Sequence, residues 1–401
     1  MSECLTTETV VVGAGPAGLA VAGCLGRLGR PYAVLERAAR VGDAWHRHYE
    51  RLHLHTVKET SHLPHRPFPA HYPRYVPRRL VVEYLDDYAW AMGVEPRFGE
   101  EVVRVEPVAG GARRWRTITA TGTVVESDHV VMATGFNRVP SAPRWEGMEG
   151  FRGAVEHSRG YRDGEPFRGR RVLVVGMGNT GAEIALDLAE HDARPVISVR
   201  GPVNIVPRDV LGRPTQRTAL LLARLPPRLG DALGVVLRRL TVGDLSRWGI
   251  ATPALPPAAQ LREEARTPVI DVGTLARIRD GSIRVRPAID RFLSDGVRFA
   301  DGSEEPFDHV ILATGYRPAI EQIVAGGEVL LDERGNPAVT SATGAHAGLH
   351  LVGFDAYTVG GLLGTIRRDA LRVAQCIAES EDSMAAPGDR DCNYIARVRV
   401  D

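Results

Sequence analysis

Two glycine-rich turns carry the clearest chemistry in this 401-residue chain. The first, Gly13-Ala-Gly15-Pro16-Ala17-Gly18, follows the apolar run Thr9-Val-Val-Val12 and precedes an apolar-periodic stretch. The second, Gly176-Met-Gly178-Asn179-Thr180-Gly181, follows Arg171-Val-Leu-Val-Val175 and precedes a helical pattern over residues 182–190. Strand, glycine turn and helix together make a pyrophosphate site. Glycine lets the backbone approach the phosphates, and the free N–H groups of the helix start favour an anion. Glu36, at the end of the next strand, lies 18 residues beyond Gly18. That is close to the ~20 residues at which a carboxylate grips a ribose 2′-hydroxyl. The first turn therefore reads as a site for FAD or NAD. In the second unit Arg200 stands at the matching place, 19 residues beyond Gly181. An arginine there pairs with a 2′-phosphate, so the second unit reads as an NADPH site. The alternative for Arg200 is a solvated strand-end residue in an arginine-rich chain.

A flavin and NADPH in one chain describe an oxidoreductase whose electrons need an acceptor. Cys4, Cys24, Cys376 and Cys392 include no C-x-x-C pair, which excludes a redox dithiol and a cysteine zinc site. Oxygen is then the natural acceptor, and no metal is expected. The scattered cysteines read as free thiols of a cytoplasmic protein. Fifty basic and 49 acidic residues leave a net charge of +1, so no basic field is present to recruit nucleic acid. No stretch approaches the ~20 apolar residues of a membrane helix, and the first residues lack the pattern of a secretion signal. Stable membrane insertion is not expected. Lys58 is the sole lysine among the 50 basic residues. The oligomeric state stays open, with a homodimer among the options.

The elements that must position these residues repeat. Asp128-His-Val-Val-Met-Ala133-Thr134-Gly135 echoes Asp308-His-Val-Ile-Leu-Ala313-Thr314-Gly315. Each is an apolar strand ending in Ala-Thr-Gly before an apparent crossing between domains. Residues 220–240 are rich in Leu, Arg and Pro, with helices split at Pro226-Pro227, and 253–257 reads as a loop. This segment reads as a helical cap over the active site; the alternative is a membrane-facing amphipathic hairpin. Residues 379–391 read as a loose, polar tail.

Phe151-Arg-Gly153-Ala-Val-Glu-His157-Ser-Arg-Gly-Tyr161 resembles the F-x-G-x-x-x-H-x-x-x-Y/F fingerprint of the flavin-containing monooxygenases. Related Baeyer–Villiger enzymes have tryptophan where Tyr161 stands, which argues against ester-forming chemistry. Several segments resemble the YUCCA branch, the indole-3-pyruvate monooxygenases. They are Tyr49-Glu-Arg-Leu52-His-Leu-His55, then Leu63-Pro and Pro67-Phe-Pro, Arg266-Thr-Pro-Val-Ile-Asp-Val-Gly-Thr-Leu275, Ala313-Thr-Gly-Tyr-Arg317, and Gly353-Phe354 with Gly361-Leu-Leu363-Gly364. The resemblance spans residues 10–376. It implies an α/β fold of two doubly wound, three-layer Rossmann-like dinucleotide-binding domains. The FAD domain would be discontinuous, over 1–155 and 306–401. The NADPH domain would be inserted at 156–305 and carry a helical segment at about 210–265.

The implied activity is that of an FAD- and NADPH-dependent monooxygenase acting on a small molecule and O2 through a flavin hydroperoxide. The substrate options are an aryl 2-oxo acid such as indole-3-pyruvate, or an amine or sulfide of secondary metabolism. A third reading is an NADPH-dependent flavin reductase or oxidase without oxygenated product. The candidate cofactor-binding residues are the twelve positions of the two glycine turns except Ala14 and Met177, together with Glu36, Arg37, Gly42, Ala44, Trp45, Leu52, His55, Thr56, Ala133, Thr134, Gly135, Arg200, Ala313, Thr314, Gly315, Gly353 and Leu363. His55 and Lys58 are the catalytic candidates. His55 stands where amine and sulfide oxidisers carry a catalytic asparagine and where the YUCCA branch has histidine. A neutral imidazole there is read as a hydrogen-bond donor toward the oxygenated flavin or the NADP⁺ amide, against a packing role. Lys58 is read as a compact cation near a substrate carboxylate or the flavin, against retention on a surface. His157 is read as organising the hinge between domains.

Overall fold

In the computed structural model the described residues are 3–108, 110, 113–355 and 358–382. Two five-stranded parallel sheets dominate. In the first, the strand Thr9–Val12 is central, flanked by Tyr32–Glu36 and His129–Met132, with Arg97–Phe98 and Leu349–Leu351 at the edges. In the second, Arg171–Val175 lies between Arg194–Ser198 and His309–Leu312, with Arg284–Arg286 and Ala154–His157 outermost. Both central strands are continuous runs of Val and Leu because layers cover each face of a parallel sheet. An antiparallel meander covers one face of each sheet. Val102–Pro107, Trp115–Thr119 and Val124–Ser127 serve the first, and Ile289–Phe292, Gly296–Phe299 and Glu304–Pro306 the second.

The helices Pro16–Arg27 and Asn179–Glu190 start at the two glycine turns. Small residues along Pro16–Arg27 let the final helix, Leu362–Asp382, pack closely against it. The Ala-Thr-Gly echo is structural as well. Each copy ends the strand beside its glycine-turn strand, and the chain then crosses between units. The crossings pair with each other, Tyr316 against Pro140 and Arg317 against Val139. His157 Nε2 lies 3.1 Å from the Gly315 carbonyl, and its Nδ1 accepts from Arg159 N at 3.1 Å. His157 thus sits at the crossing, as its place in the connector predicts.

Strand pairing moves one expected boundary. His309–Leu312 hydrogen-bonds within the second sheet, so that sheet's chain runs from Ala154 to Leu312, past the change of unit expected at residue 306. The two Asp-His-Val segments look alike because they hold equivalent places in different sheets. Of the tail expected to be loose, residues 379–382 end the last helix and the remainder lies outside the described residues. Cys4 and Cys24 are free thiols, but Cys376 is disulfide-bonded, against the expectation of four free thiols. No described helix is long and apolar enough to cross a membrane.

At the edge of the first sheet a polar chain runs from Ser341 Oγ to His350 Nδ1 (2.9 Å), and from His350 Nε2 to His129 Nδ1 (3.3 Å). It ends at Ser380 Oγ, 3.1 Å from His129 Nε2. Burial, and then the neighbouring His129, holds His350 down to about 3 from 6.5. The folded state keeps this ring neutral while the unfolded chain protonates below pH ~6.5. Its stabilisation is therefore complete above that pH and is lost as the pH falls toward 3. Between pH 7 and pH 5 wild-type unfolding free energy should drop by about 2 kcal/mol more than that of His350→Gln. Equal drops in denaturant titrations would remove His350 from the acid response.

Candidate active site

The glycine turns are built alike. Gly13 and Gly176 take positive φ, +108° and +104°, and a Cβ on either would come within 2.7 Å of a carbonyl, that of Ala133 or Ala313. A Cβ on Gly18 or Gly181 would lie 1.8 or 2.0 Å from the carbonyl of Gly13 or Gly176. These four glycines serve close packing of strand on helix. Gly15 and Gly178 differ, because a Cβ there meets nothing within 4 Å. They front the open space at the helix starts, where no side chain caps the first N–H groups and no acid stands in the first turn. That is the arrangement a pyrophosphate needs.

Glu36 is held at the first turn: its Oε2 accepts from Ala14 N at 2.7 Å and its Oε1 from Ala38 N at 2.8 Å. Each oxygen keeps a lone pair for a ribose hydroxyl. The Thr134 hydroxyl beside this turn is buried without a partner among the described residues, whereas its counterpart Thr314 donates to the Ser141 carbonyl. These features fit a dinucleotide at the first turn. In the second unit, strand register changes the expected correspondence. Gly13 N donates to Leu35 O and Gly176 N to Ser198 O, so Val199, buried, is the counterpart of Glu36. Arg200 stands one residue further out and is exposed. No acid occupies the ribose position, as required for a phosphorylated ribose.

The first turn opens into a cleft of about 1960 Å³ between the units. Single-ligand pockets run to about 1,000 Å³, so the cleft has room for more than one. Gly13, Gly15, Pro16, Ala17, Glu36, Arg37, Gly42, Ala44, Trp45, Leu52, His55, Thr56, Ala133, Thr134, Gly135, Asn179, Thr180, Gly353 and Leu363 line it. Gly18, Gly176, Gly178, Gly181, Arg200, Ala313, Thr314 and Gly315 do not. Asn179 also braces the Arg266–Leu275 stretch, its Oδ1 accepting from Ile270 N at 2.7 Å.

The segment after residue 210 forms the helices Thr215–Leu222, Pro227–Thr241 and Pro257–Glu264, all of which contribute to the cleft wall. The break at Pro226-Pro227 is the expected one. Pro227 starts its helix, where a missing N–H costs nothing. Gln216 docks this cap on the first unit. Its Oε1 accepts from Val57 N at 2.8 Å, and its Nε2 donates to Gly360 O at 2.7 Å and Thr60 Oγ1 at 3.0 Å. Sequence reading missed Gln216, since one polar residue in a mixed helix carries no signal.

Glu183 was missed as well. It is 3% exposed, and its Oε1 lies 2.6 Å from His55 Nε2. The buried Tyr49 phenol also bonds to Glu183; burial, then the carboxylate, pushes this phenol well above its ordinary pKa. Asp187 and Glu190 continue the same helix face toward the first unit, with Arg51 Nη1 at 3.6 and 2.6 Å from them. An acid inside the apolar run Gly181-Ala-Glu-Ile-Ala-Leu186 was the available sign. His48, also lining the cleft, is held down to about 4, by burial first and then by Arg78 and other arginines.

Lys58 requires a correction. It does not line the cleft; its ammonium donates to the carbonyls of Ala70 (2.6 Å) and Tyr72 (2.5 Å). A compact tetrahedral cation satisfies two converging carbonyls, which a planar guanidinium does less well. This accounts for one lysine in a chain otherwise using arginine. Lys58→Met should lower stability by about 1–3 kcal/mol and leave kcat/KM within about twofold. A large loss of turnover at unchanged stability would return Lys58 to the chemistry.

Residues 7–324 match the flavin-binding monooxygenase-like family. The chain belongs to this family. It is similar to the indole-3-pyruvate monooxygenase YUCCA4 of Oryza sativa subsp. japonica, at 41% identity over 92% of this chain and 87% of the relative. It is 42% identical to YUCCA1 of the same plant, over 92% of this chain and 90% of the relative. Among solved structures, the flavin-containing monooxygenase from Stenotrophomonas maltophilia shares the fold, with a TM-score of 0.72 and 24% identity over 94% of this chain and 99% of that one. The protein is a flavin-dependent monooxygenase, and the family uses FAD and NADPH. Among the described residues no cluster of His, Cys, Asp and Glu could hold a metal ion.

Proposed function

We propose that this monooxygenase converts an aryl 2-oxo acid of the indole-3-pyruvate class to the carboxylic acid one carbon shorter. One 2-oxo acid, O2, NADPH and a proton yield the shorter acid, CO2, water and NADP⁺. FAD sits at the first glycine turn, with Glu36 on its ribose, and NADPH at the second, with Arg200 on its 2′-phosphate. A cytoplasmic setting, where reduced nicotinamide is supplied, suits this chemistry. The bound flavin supplies the reducing equivalents and the activated oxygen.

The observation that carries the substrate class is Arg238. It lies half-buried on the cleft wall, with a buried Nε that has no partner among the described residues. Burial lowers the pKa of this guanidinium, and the neighbouring Arg239 adds to the effect. A desolvated cation facing a cleft calls for an anion. Around it the cap presents Ala219, Leu222, Leu225, Leu237 and Leu261, an apolar surface for an aromatic ring. The substrate is thus gripped at both ends, the carboxylate on Arg238 and the ring on the cap. The similarity to plant indole-3-pyruvate monooxygenases supports the same class.

The test is product analysis by mass spectrometry with indole-3-pyruvate, NADPH and O2. Indole-3-acetate and CO2 are expected in equal amounts. Arg238→Ala should raise KM for the 2-oxo acid about tenfold or more, the worth of a charge-assisted bond. Turnover of a neutral amine or sulfide with no 2-oxo acid conversion would sink the proposal in favour of heteroatom oxidation.

A further inference from the structure

Glu183 lies on the helix that begins at the second glycine turn, yet it bonds two residues of the first unit, Tyr49 and His55. A carboxylate accepts hydrogen bonds and donates none. The phenol of Tyr49 can only donate to it, and the 2.6 Å contact to His55 Nε2 therefore places a proton on that nitrogen. The other ring nitrogen has no protein partner among the described residues, and the ring lines the cleft.

We propose that Glu183 is a positioning residue, which locks His55 with its proton on Nε2 and so offers the cleft the bare lone pair of Nδ1 as a hydrogen-bond acceptor. This reverses the polarity expected from the sequence, where a neutral imidazole was to donate. The ligand group it takes is an N–H or O–H of bound cofactor or substrate. The inference rests on the reading that the cleft beside His55 receives the cofactors. Because Glu183 and His55 belong to different units, any rotation that parts the units breaks the bond. The acceptor is therefore set only while the unit carrying the second turn is seated.

The experiment is ¹⁵N NMR of histidine-labelled, flavin-loaded protein, with the His55 signals identified by their loss in His55→Asn. Wild type should show an unprotonated Nδ1 and a protonated Nε2. Glu183→Gln removes the carboxylate at nearly constant shape, and its amide can donate, so the ring should move to the other tautomer or to a mixture. Tyr49→Phe removes the second donor but keeps the carboxylate, and should leave the tautomer unchanged. Peroxide released per NADPH consumed should rise about tenfold in Glu183→Gln, the worth of one hydrogen bond, with KM for NADPH little altered. A proton on Nδ1 in wild type overturns the proposal. So does a Glu183→Gln spectrum identical to wild type, or a Tyr49→Phe spectrum displaced as far as that of Glu183→Gln, which would mean general loosening of the interface. The tautomer is read without substrate, so its failure is separate from failure of the 2-oxo acid assignment.

Discussion

Gly15→Val is expected to give a folded, colourless protein. Gly15 has an extended backbone (φ −81°, ψ −173°), which valine adopts readily, and a Cβ there meets no protein atom within 4 Å. The new side chain would instead fill the space in front of the free N–H groups at residues 16–18, where the pyrophosphate must lie. Losing those bonds and the approach itself should weaken flavin binding by at least about a hundredfold, roughly 3 kcal/mol. Absorbance at the flavin band against protein concentration, together with circular dichroism, checks both halves. Gly18→Ala is the contrasting variant. Its Cβ would be 1.8 Å from the Gly13 carbonyl, so it should fail to fold at all. A Gly15→Val protein that keeps stoichiometric flavin would remove the first turn as the cofactor site.

The second large effect concerns coenzyme choice. Arg200→Ala should cut the preference for NADPH over NADH by about ten- to a hundredfold, because a charge-assisted phosphate contact contributes about 1.5–3 kcal/mol. Arg200 stands exposed just past Val199, on the open edge of the second unit, where an adenosine phosphate reaches it without entering the cleft. The ratio of kcat/KM for the two coenzymes is the measurement. An unchanged ratio would transfer the phosphate to another arginine, with Arg208 and Arg213 on the adjoining cleft wall as the next variants.

Local patterns in the sequence sufficed for both glycine turns, for Glu36 and for the helices broken at Pro226-Pro227. Each depends on a few consecutive residues and on a backbone geometry that only glycine or proline serves. The doubled Ala-Thr-Gly strand was equally visible, because a strand buried on both faces must be continuously apolar. What sequence spacing could not supply was anything settled by register or by contact between distant segments. Counting residues matched Arg200 to Glu36, but the hydrogen bonds of Gly13 to Leu35 and Gly176 to Ser198 put Val199 there, since turn lengths differ by a residue while sheet register does not. Likewise, residues 309–312 resemble 129–132 in sequence and enter a different sheet.

Lys58 stood close to His55 in the chain and was assigned to the same chemistry. Three residues of loop suffice to turn its ammonium onto Ala70 and Tyr72 instead. Glu183 and His55 are separated by 128 residues and Gln216 and Val57 by 159, so no local signal links them. The residue types able to bind dinucleotides are thus determined by the sequence itself, because phosphate recognition is a property of a short turn and the helix behind it. Which nitrogen of His55 carries its proton, and where the cap docks, are decided by tertiary structure alone, because a side chain's hydrogen-bond partner is whatever group the fold brings to it.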